Sequence, residues 1–492
     1  MRRLPAAAAA AGLLLVALVL VAAAVLARSR TTVGQNVFVN PSGIIDAFST
    51  PSVAVNPDRP SNVVVTYRED RPDLSARLGW SNDGGASFAP TALPLPSGAD
   101  RPFFPDAAFA PGGVLDVAYV NLGGRGNVPA NLWVAQSRDG GRHLSAPVLV
   151  TSGLTFQPRI AVGPMGTVSL TWLQSNRVGQ AALTGDMVRV MMSTSGNGGR
   201  SWSPPVPVSA ADGNLVSGAS GVFVGHSFVV VYERFGPTAS NLGTGGTAAQ
   251  PDTYDIVVTR SPVGRADFSP PMVVTAAVRT TQRFSLFFPQ FPSLAGGGGR
   301  LYLAWAQGRG HGQDALVAAS ADSGATWSKP VRANDNPGGD GTARLLPTMS
   351  VAPSGRVDLV LIDERNDPSG NFADAYLASS TDQARSFHDL KLSTAAFDTR
   401  VGPTFGGGLP PDLGSHLAIA SQPDFVQAAW ADSRLGNENT GRQDIVTARI
   451  HMTSSSGRTP LLIGGAAVAA VAAAGLLAWR RRLGRIGANA QE

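Results

Sequence analysis

Apolar runs of five or six residues recur along the chain, each bounded by glycine, proline or acidic and amide residues. They read Val63 to Tyr67, Leu115 to Tyr119, Val168 to Trp172, Phe228 to Tyr232, Leu301 to Trp305, Val357 to Leu361 and Phe425 to Trp430. Runs this short and this rich in β-branched and aromatic residues predict strands, not helices. Ahead of most of them a strand is predicted to follow a proline, as in Pro51-Ser-Val-Ala-Val55, Pro105-Asp-Ala-Ala-Phe109, Pro158-Arg-Ile-Ala-Val162, Pro292-Ser-Leu-Ala295 and Pro347-Thr-Met-Ser-Val351. Behind them come a third strand, such as Asn131-Leu-Trp-Val-Ala135, and a fourth, such as Pro147-Val-Leu-Val150.

Between the third and fourth strands stands a repeated phrase, Ser-x-Asp-x-Gly-x-x-aromatic. Its clearest copy is Ser320-Ala-Asp322-Ser-Gly324-Ala-Thr-Trp327. Others centre on Asp83, Asp139, Asn197 and Asp382, and Ser261 to Phe268 is a worn sixth. The third positions lie 56 to 66 residues apart, the period of a repeat architecture. Asp and Asn side chains pin tight turns, and Gly supplies the positive φ such turns need. The phrase therefore predicts a hairpin turn.

Four antiparallel strands in about 60 residues form the blade of a β-propeller. We label its strands A to D from the axis outward. Strand B occurs seven times but the phrase only six, because the last unit, Ser415 to Ile450, lacks strand D. Asn36-Val-Phe-Val39 supplies a spare strand that would close the ring and remove its open edges. The expected fold is an all-β, seven-bladed propeller over residues 31–452. A six-bladed ring with an appended hairpin is the alternative.

These phrases resemble the Asp-box, or bacterial neuraminidase repeat, of sialidase-like propellers, across most of residues 36–450. In that family the phrase is architectural, which implies a structural role for Asp83, Asp139, Asn197, Asp322 and Asp382. A sialidase would also carry an Arg-Ile-Pro signature, three arginines for the substrate carboxylate, a Tyr nucleophile paired with Glu, and an Asp acid/base. Gln157-Pro158-Arg159-Ile160 shares two letters with the signature in the wrong order, and no catalytic residue transfers.

Both ends are apolar. Ala6 to Ala27 follows Arg2-Arg3 and would span about 30 Å as a helix, so residues 1–30 read as a signal peptide or signal anchor. Leu461 to Trp479 precedes Arg480-Arg481-Arg482 and reads as a transmembrane helix, with 453–460 as linker and 480–492 as a cytoplasmic tail. The propeller is then expected outside the cell membrane. Eight of the 39 basic residues sit in these ends, and of the 34 acids only Glu492 does. The remaining 31 bases against 33 acids give about −2, which argues against nucleic acid as a partner. With no cysteine, neither thiol chemistry nor disulfides are available.

In such a blade the A–B and C–D turns share one face, and the B–C and D–A loops share the other. The longer B–C loops carry paired acids and arginines, and ligand chemistry is expected there. The candidate ligand-binding residues are Arg68, Arg71, Arg234, Arg365 and Arg434, since a guanidinium grips carboxylate or sulfate bidentately. Glu69, Asp363, Glu364 and Asp432 are the catalytic candidates if the chain is a glycosidase. The structural alternative is that these acids and arginines brace neighbouring loops. Arg125, Arg177, Arg309 and His311 come from the other blades. No cofactor and no metal site is expected; Asn334-Asp335-Asn336 with Asp340 reads as a solvated polar loop, with calcium as the alternative. The expected partner is a glycan or a protein at the cell surface. A divergent sialidase-like hydrolase and an envelope assembly scaffold are the other two readings.

Overall fold

Strand B is apolar at consecutive positions in blades 1, 4 and 5 rather than at alternate ones because both faces of its sheet are covered. Val63, Val64 and Val65 are fully buried, as are Val229, Val230 and Val231. A sheet wedged between two others has no solvent face, so its inner strands lose the alternation of a half-buried sheet. The computed structural model describes residues 31–40, 43–123, 127–176, 187–236, 253–279, 290–308, 312–404 and 411–452, and Val33–Ile450 form one compact unit. The two terminal apolar runs, the linker 453–460, the insertion 240–250 and residues Arg125, Arg177, Arg309 and His311 lie outside the described residues. Among the described residues no helix is long and apolar enough to cross a membrane.

The strands form seven antiparallel sheets. Blade 1 runs Ala47–Val55, Val63–Arg71, Ser75–Ser81 and Ala89–Thr91, and blades 2 to 6 repeat the order along the chain. Blade 7 is Ala418–Ser421, Phe425–Asp432 and Asp444–His451, completed by Val37–Phe38 from the beginning of the chain. Val37 pairs with Thr447 and Phe38 with Val446. Each innermost strand packs on the next blade's, and blade 7 packs on blade 1, so the ring is closed. Seven sheets replace the six-bladed alternative.

The repeated phrase folds the same way in five blades. The Ser81 hydroxyl donates to Asp83 Oδ1 at 2.7 Å and accepts the Gly85 amide at 2.9 Å. Asp83 Oδ1 in turn accepts the amides of Ala86 and Ser87, each at 3.0 Å. Ser137, Ser195, Ser320 and Ser380 repeat the first bond at 2.8 to 2.9 Å. At Asp322, the Thr326 hydroxyl and amide and the Ser320 hydroxyl stabilise the anion and hold its pKa at about 2. The glycine also docks the blade on the one before it. At Gly141, with φ +99°, a Cβ would sit 3.0 Å from both Trp80 and Val64 of blade 1. The phrase is therefore a turn and an inter-blade contact at once, on the face opposite the B–C loops.

Candidate functional site

Pro292 stands just ahead of strand Ser293–Gly297 as predicted, but Pro51, Pro105, Pro158 and Pro347 turn out to lie inside their A strands. Each of these four sits at a β-bulge, where the A–B register slips. The slips fall between Ser49 and Ser52, Phe103 and Asp106, Phe156 and Arg159, Ser217 and Ser220, and Leu345 and Thr348. The residue ahead of the proline is left-handed: Thr50 at φ 52°, Phe104 at 48°, Gln157 at 50° and Leu346 at 55°. Blade 4 has Gly218 at 58° before Ala219 instead. Proline has no N–H to give a ladder, so it is tolerated where a bulge leaves that bond unneeded. The four non-glycine residues are each strained by about 1–2 kcal/mol.

These bulges lie at the B–C end of the A strands and aim the next residue at the axis. With Ser293 and His416 from the unbulged blades 5 and 7, these residues form a ring of one polar side chain per blade: Ser52, Asp106, Arg159, Ser220, Ser293, Thr348 and His416. They line a central cavity of about 230 Å³. Several of them stitch one blade to the next. The Ser52 hydroxyl donates to Asp106 Oδ1 at 2.5 Å, and Asp106 Oδ2 accepts the Ile160 amide at 2.8 Å. Ser293 and Thr348 accept the amides of Met349 and Leu417 at 3.0 and 3.1 Å.

Arg159 and His416 differ. The Arg159 guanidinium crosses from blade 3 to blade 7, with Nη1 2.6 Å from His416 Nε2, and its Nε lies 3.6 Å from Asp106. An arginine can only donate, so Nε2 must accept and Nδ1 must carry the ring proton, which it gives to Ser415 Oγ at 2.8 Å. Burial, then the positive charges of Arg159 and Arg68, push His416 well below the ordinary histidine range, so the ring is neutral. Gln157, 6% exposed and on the cavity wall, has neither amide atom hydrogen-bonded. A buried amide left unbonded costs about 1–3 kcal/mol, and a ligand in the cavity could recover it.

The B–C loop residues are occupied differently. Arg68 is buried and pairs with Asp70 and, at 2.7 Å, with Asp412. Glu69 accepts from Arg77 at 2.7 Å, and burial raises its pKa against that opposing charge. Arg71 donates to the Thr440 and Gly441 carbonyls at 3.0 and 2.5 Å. Arg234 pairs with Asp255 at 3.0 Å. Asp363 is buried between Arg344 and Arg365, and Glu364 Oε2 accepts the Ala343 amide at 3.2 Å. Arg365 also meets Asp335 and Asp389 and lies 4.4 Å over the Tyr376 ring. Asp432 is buried, held bidentately by Arg434 and by Trp430 Nε1 at 2.9 Å. Asp340 binds Arg344 at 2.6 Å, so a guanidinium occupies the oxygen-rich loop that calcium would share.

One further cluster lies behind the cavity wall in blade 4. Glu233 is fully buried, with the Ser217 hydroxyl as the polar group acting on its carboxyl, and it is electrostatically coupled to buried Tyr254. Burial raises Glu233 well above the ordinary carboxylate range, offset only in part by the Ser217 hydroxyl, and raises Tyr254 well above 10. A raised folded-state pKa stabilises at low pH and loses that contribution as pH climbs past the unfolded value of about 4.3. Glu233→Gln is accordingly expected to leave the melting temperature at pH 4 nearly unchanged and to raise it at pH 8. Differential scanning calorimetry at the two pH values checks this, and equal shifts at both would contradict it.

In five blades the cavity residue is the one after the proline, Ser52, Asp106, Arg159, Ser293 and Thr348, while Ser220 and His416 follow Ala219 and Ser415 and carry no such mark. Gln157 and Arg159 stood out in the sequence only as a mismatch to the sialidase signature, and no local signal marks His416.

No protein-family model matches the chain, and no curated protein does. Solved structures do. A polysaccharide lyase of family PL25, an ulvan lyase, matches 84% of this chain and 95% of its own at 13% identity and a TM-score of 0.50. A protein of unknown function from Dyadobacter fermentans matches 86% of this chain and 99% of its own at 13% identity, TM-score 0.48. A Hadza microbial sialidase matches 80% and 74% at 12% identity, TM-score 0.46. At such identities the likeness is one of fold. With its closed ring of seven sheets, the chain is an all-β, seven-bladed β-propeller.

Proposed function

We propose that this chain is a membrane-tethered, extracytoplasmic propeller of the Asp-box kind that binds an acidic glycan in the central cavity, on the B–C loop face. The observation that carries the reading is the pairing of Arg159 with an unbonded Gln157 on one cavity wall. A carboxylate or sulfate would take Arg159 from neutral His416, exchanging a neutral acceptor for a charged one. Gln157 would meet neighbouring hydroxyls. The tether is supported by the two apolar terminal runs. Both chain ends of the propeller leave from the face of the Ser-Asp-Gly turns, with the Gly34 amide 2.8 Å from the Arg449 carbonyl.

Binding is favoured over hydrolysis on physical grounds. Burial keeps both Glu233 and Tyr254 protonated, and a neutral phenol is a poor nucleophile. The test is an array of sialylated, uronate, sulfated and neutral glycans probed with the full chain in lipid nanodiscs. Acid-bearing glycans are expected to bind, and Arg159→Ala to weaken them at least tenfold. Equal binding of neutral glycans, or no effect of Arg159→Ala, would refute the reading.

A further inference from the structure

A second cavity, of about 460 Å³, opens on the B–C loop face between blades 6 and 7. One wall is Phe372, at the start of strand C of blade 6, whose ring is 44% exposed. The opposite wall is the B–C loop of blade 7, with Asn437, Glu438 and Asn439 in succession.

The hydrogen bonds of the lining decide what chemistry remains free. Arg434 is spent on Asp432, and the Ser433 hydroxyl on the Asp398 carbonyl at 2.6 Å. Arg400 is paired with Asp398 at 2.6 Å and lies 5.9 Å from the Phe372 ring centre. Asn437 Oδ1 accepts the amides of Asn439 and Thr440, each at 3.0 Å, which shapes the loop and leaves its Nδ2 unused. The Asn439 side-chain carboxamide and the Glu438 carboxylate, both exposed, have no hydrogen-bond partner among the described residues. An apolar ring thus faces two free amides and a free carboxylate across a gap of sugar size. That is the pairing a pyranose needs: the C–H face lies on the aromatic, and the hydroxyls on the rim reach the polar groups. Charge narrows the class. Arg400 feels the Glu438 charge, but both arginines are bonded to their own aspartates, and among the described residues Glu438 is in no close ion pair; it repels carboxylate and sulfate while accepting hydroxyls.

We propose that this cleft is a saccharide subsite for an uncharged pyranose, separate from the central cavity and independent of the acidic-glycan reading of that cavity. A ligand bearing both kinds of residue would then be read at two places on one face.

The experiment is saturation-transfer-difference NMR on the full chain in lipid nanodiscs, with the methyl glycosides of glucose, galactose, mannose and glucuronic acid as probes. At least one of the three neutral glycosides is expected to receive saturation on its ring-face protons. Phe372→Ala should reduce that affinity at least tenfold and Glu438→Ala several-fold, with unchanged melting temperature, while Arg159→Ala leaves it intact. Glucuronide should give no signal that depends on Phe372. The proposal is overturned if none of the neutral glycosides binds, if both Phe372→Ala and Glu438→Ala bind as well as the parent, if glucuronide binds through Phe372, or if Arg159→Ala removes the neutral signal. The last outcome would place the sugar in the central cavity, whereas loss of acidic-glycan binding alone would bear only on that cavity.

Discussion

Deleting residues 31–40 should abolish the cooperative unfolding of the propeller. The strand they form is short, but it is bonded on both sides. Val37 and Phe38 pair with Thr447 and Val446, and the Val39 amide donates to the Ile445 carbonyl at 2.9 Å. Asn36 bridges to blade 6 by donating to the Leu392 carbonyl at 2.9 Å and accepting the Thr394 amide at 2.8 Å. On the other side Val39 packs so closely on blade 1 that a Cβ on Gly79 would come within 2.7 Å of it. Without the segment, strand Asp444–His451 becomes an open edge, paired only with Phe425–Asp432. A broad, non-cooperative urea transition with aggregation is expected, and a synthetic peptide of residues 31–40 should restore the sharp one. The milder Asn40→Ala should cost about 2–4 kcal/mol, because it removes two buried hydrogen bonds, at 2.9 Å to Asp444 and 2.7 Å from the Ile445 amide. A deletion that melts like the full chain would mean the ring does not depend on its closing strand.

The second large effect is expected at Arg68. It is fully buried between Asp70 and Asp412, whose carboxylates meet no other cation so close among the described residues. Arg68→Met should cost about 3–5 kcal/mol at pH 7.5, since it strands two carboxylates in the interior. The penalty should be smaller at pH 5. Burial already lifts Asp412 to about 6 with the arginine present, and an acid whose folded pKa is raised contributes stability below its unfolded value that is lost as pH rises past the folded one. Removing the arginine removes the charge that opposes this lift, so protonation at pH 5 relieves more of the cost. Adding Asp70→Asn and Asp412→Asn to Arg68→Met should recover most of the stability and flatten the pH dependence. Urea denaturation at the two pH values measures all of this. An Arg68→Met variant as stable as the parent at pH 7.5 would show that water or relaxation solvates the pair.

Much of the scaffold was legible along the chain because its signals are local. Strand B announces itself by apolar runs, and the Ser-x-Asp-x-Gly phrase by residues that bond within eight positions of one another. Even the closing strand could be counted, since seven B strands against six phrases left one vacancy. The bulges were less legible. A proline before a strand and a proline within a bulged strand look alike in one dimension, and only the register with strand B separates them.

The partners of the long charged side chains were not legible at all. Arg68 meets Asp412 and Arg159 meets His416 across 344 and 257 residues of sequence. Arg365 gathers acids from both its own loop and the neighbouring loop. What the sequence by itself determined is the repeat, the strand order and the ring, because hydrophobic period and turn chemistry act over a few residues. What only the tertiary structure decided is which arginines are braces and which reaches the axis. A guanidinium at the end of a flexible stem takes whichever carboxylate or ring nitrogen the closed ring brings within about 3 Å of it, and that geometry exists only once all seven blades are in place.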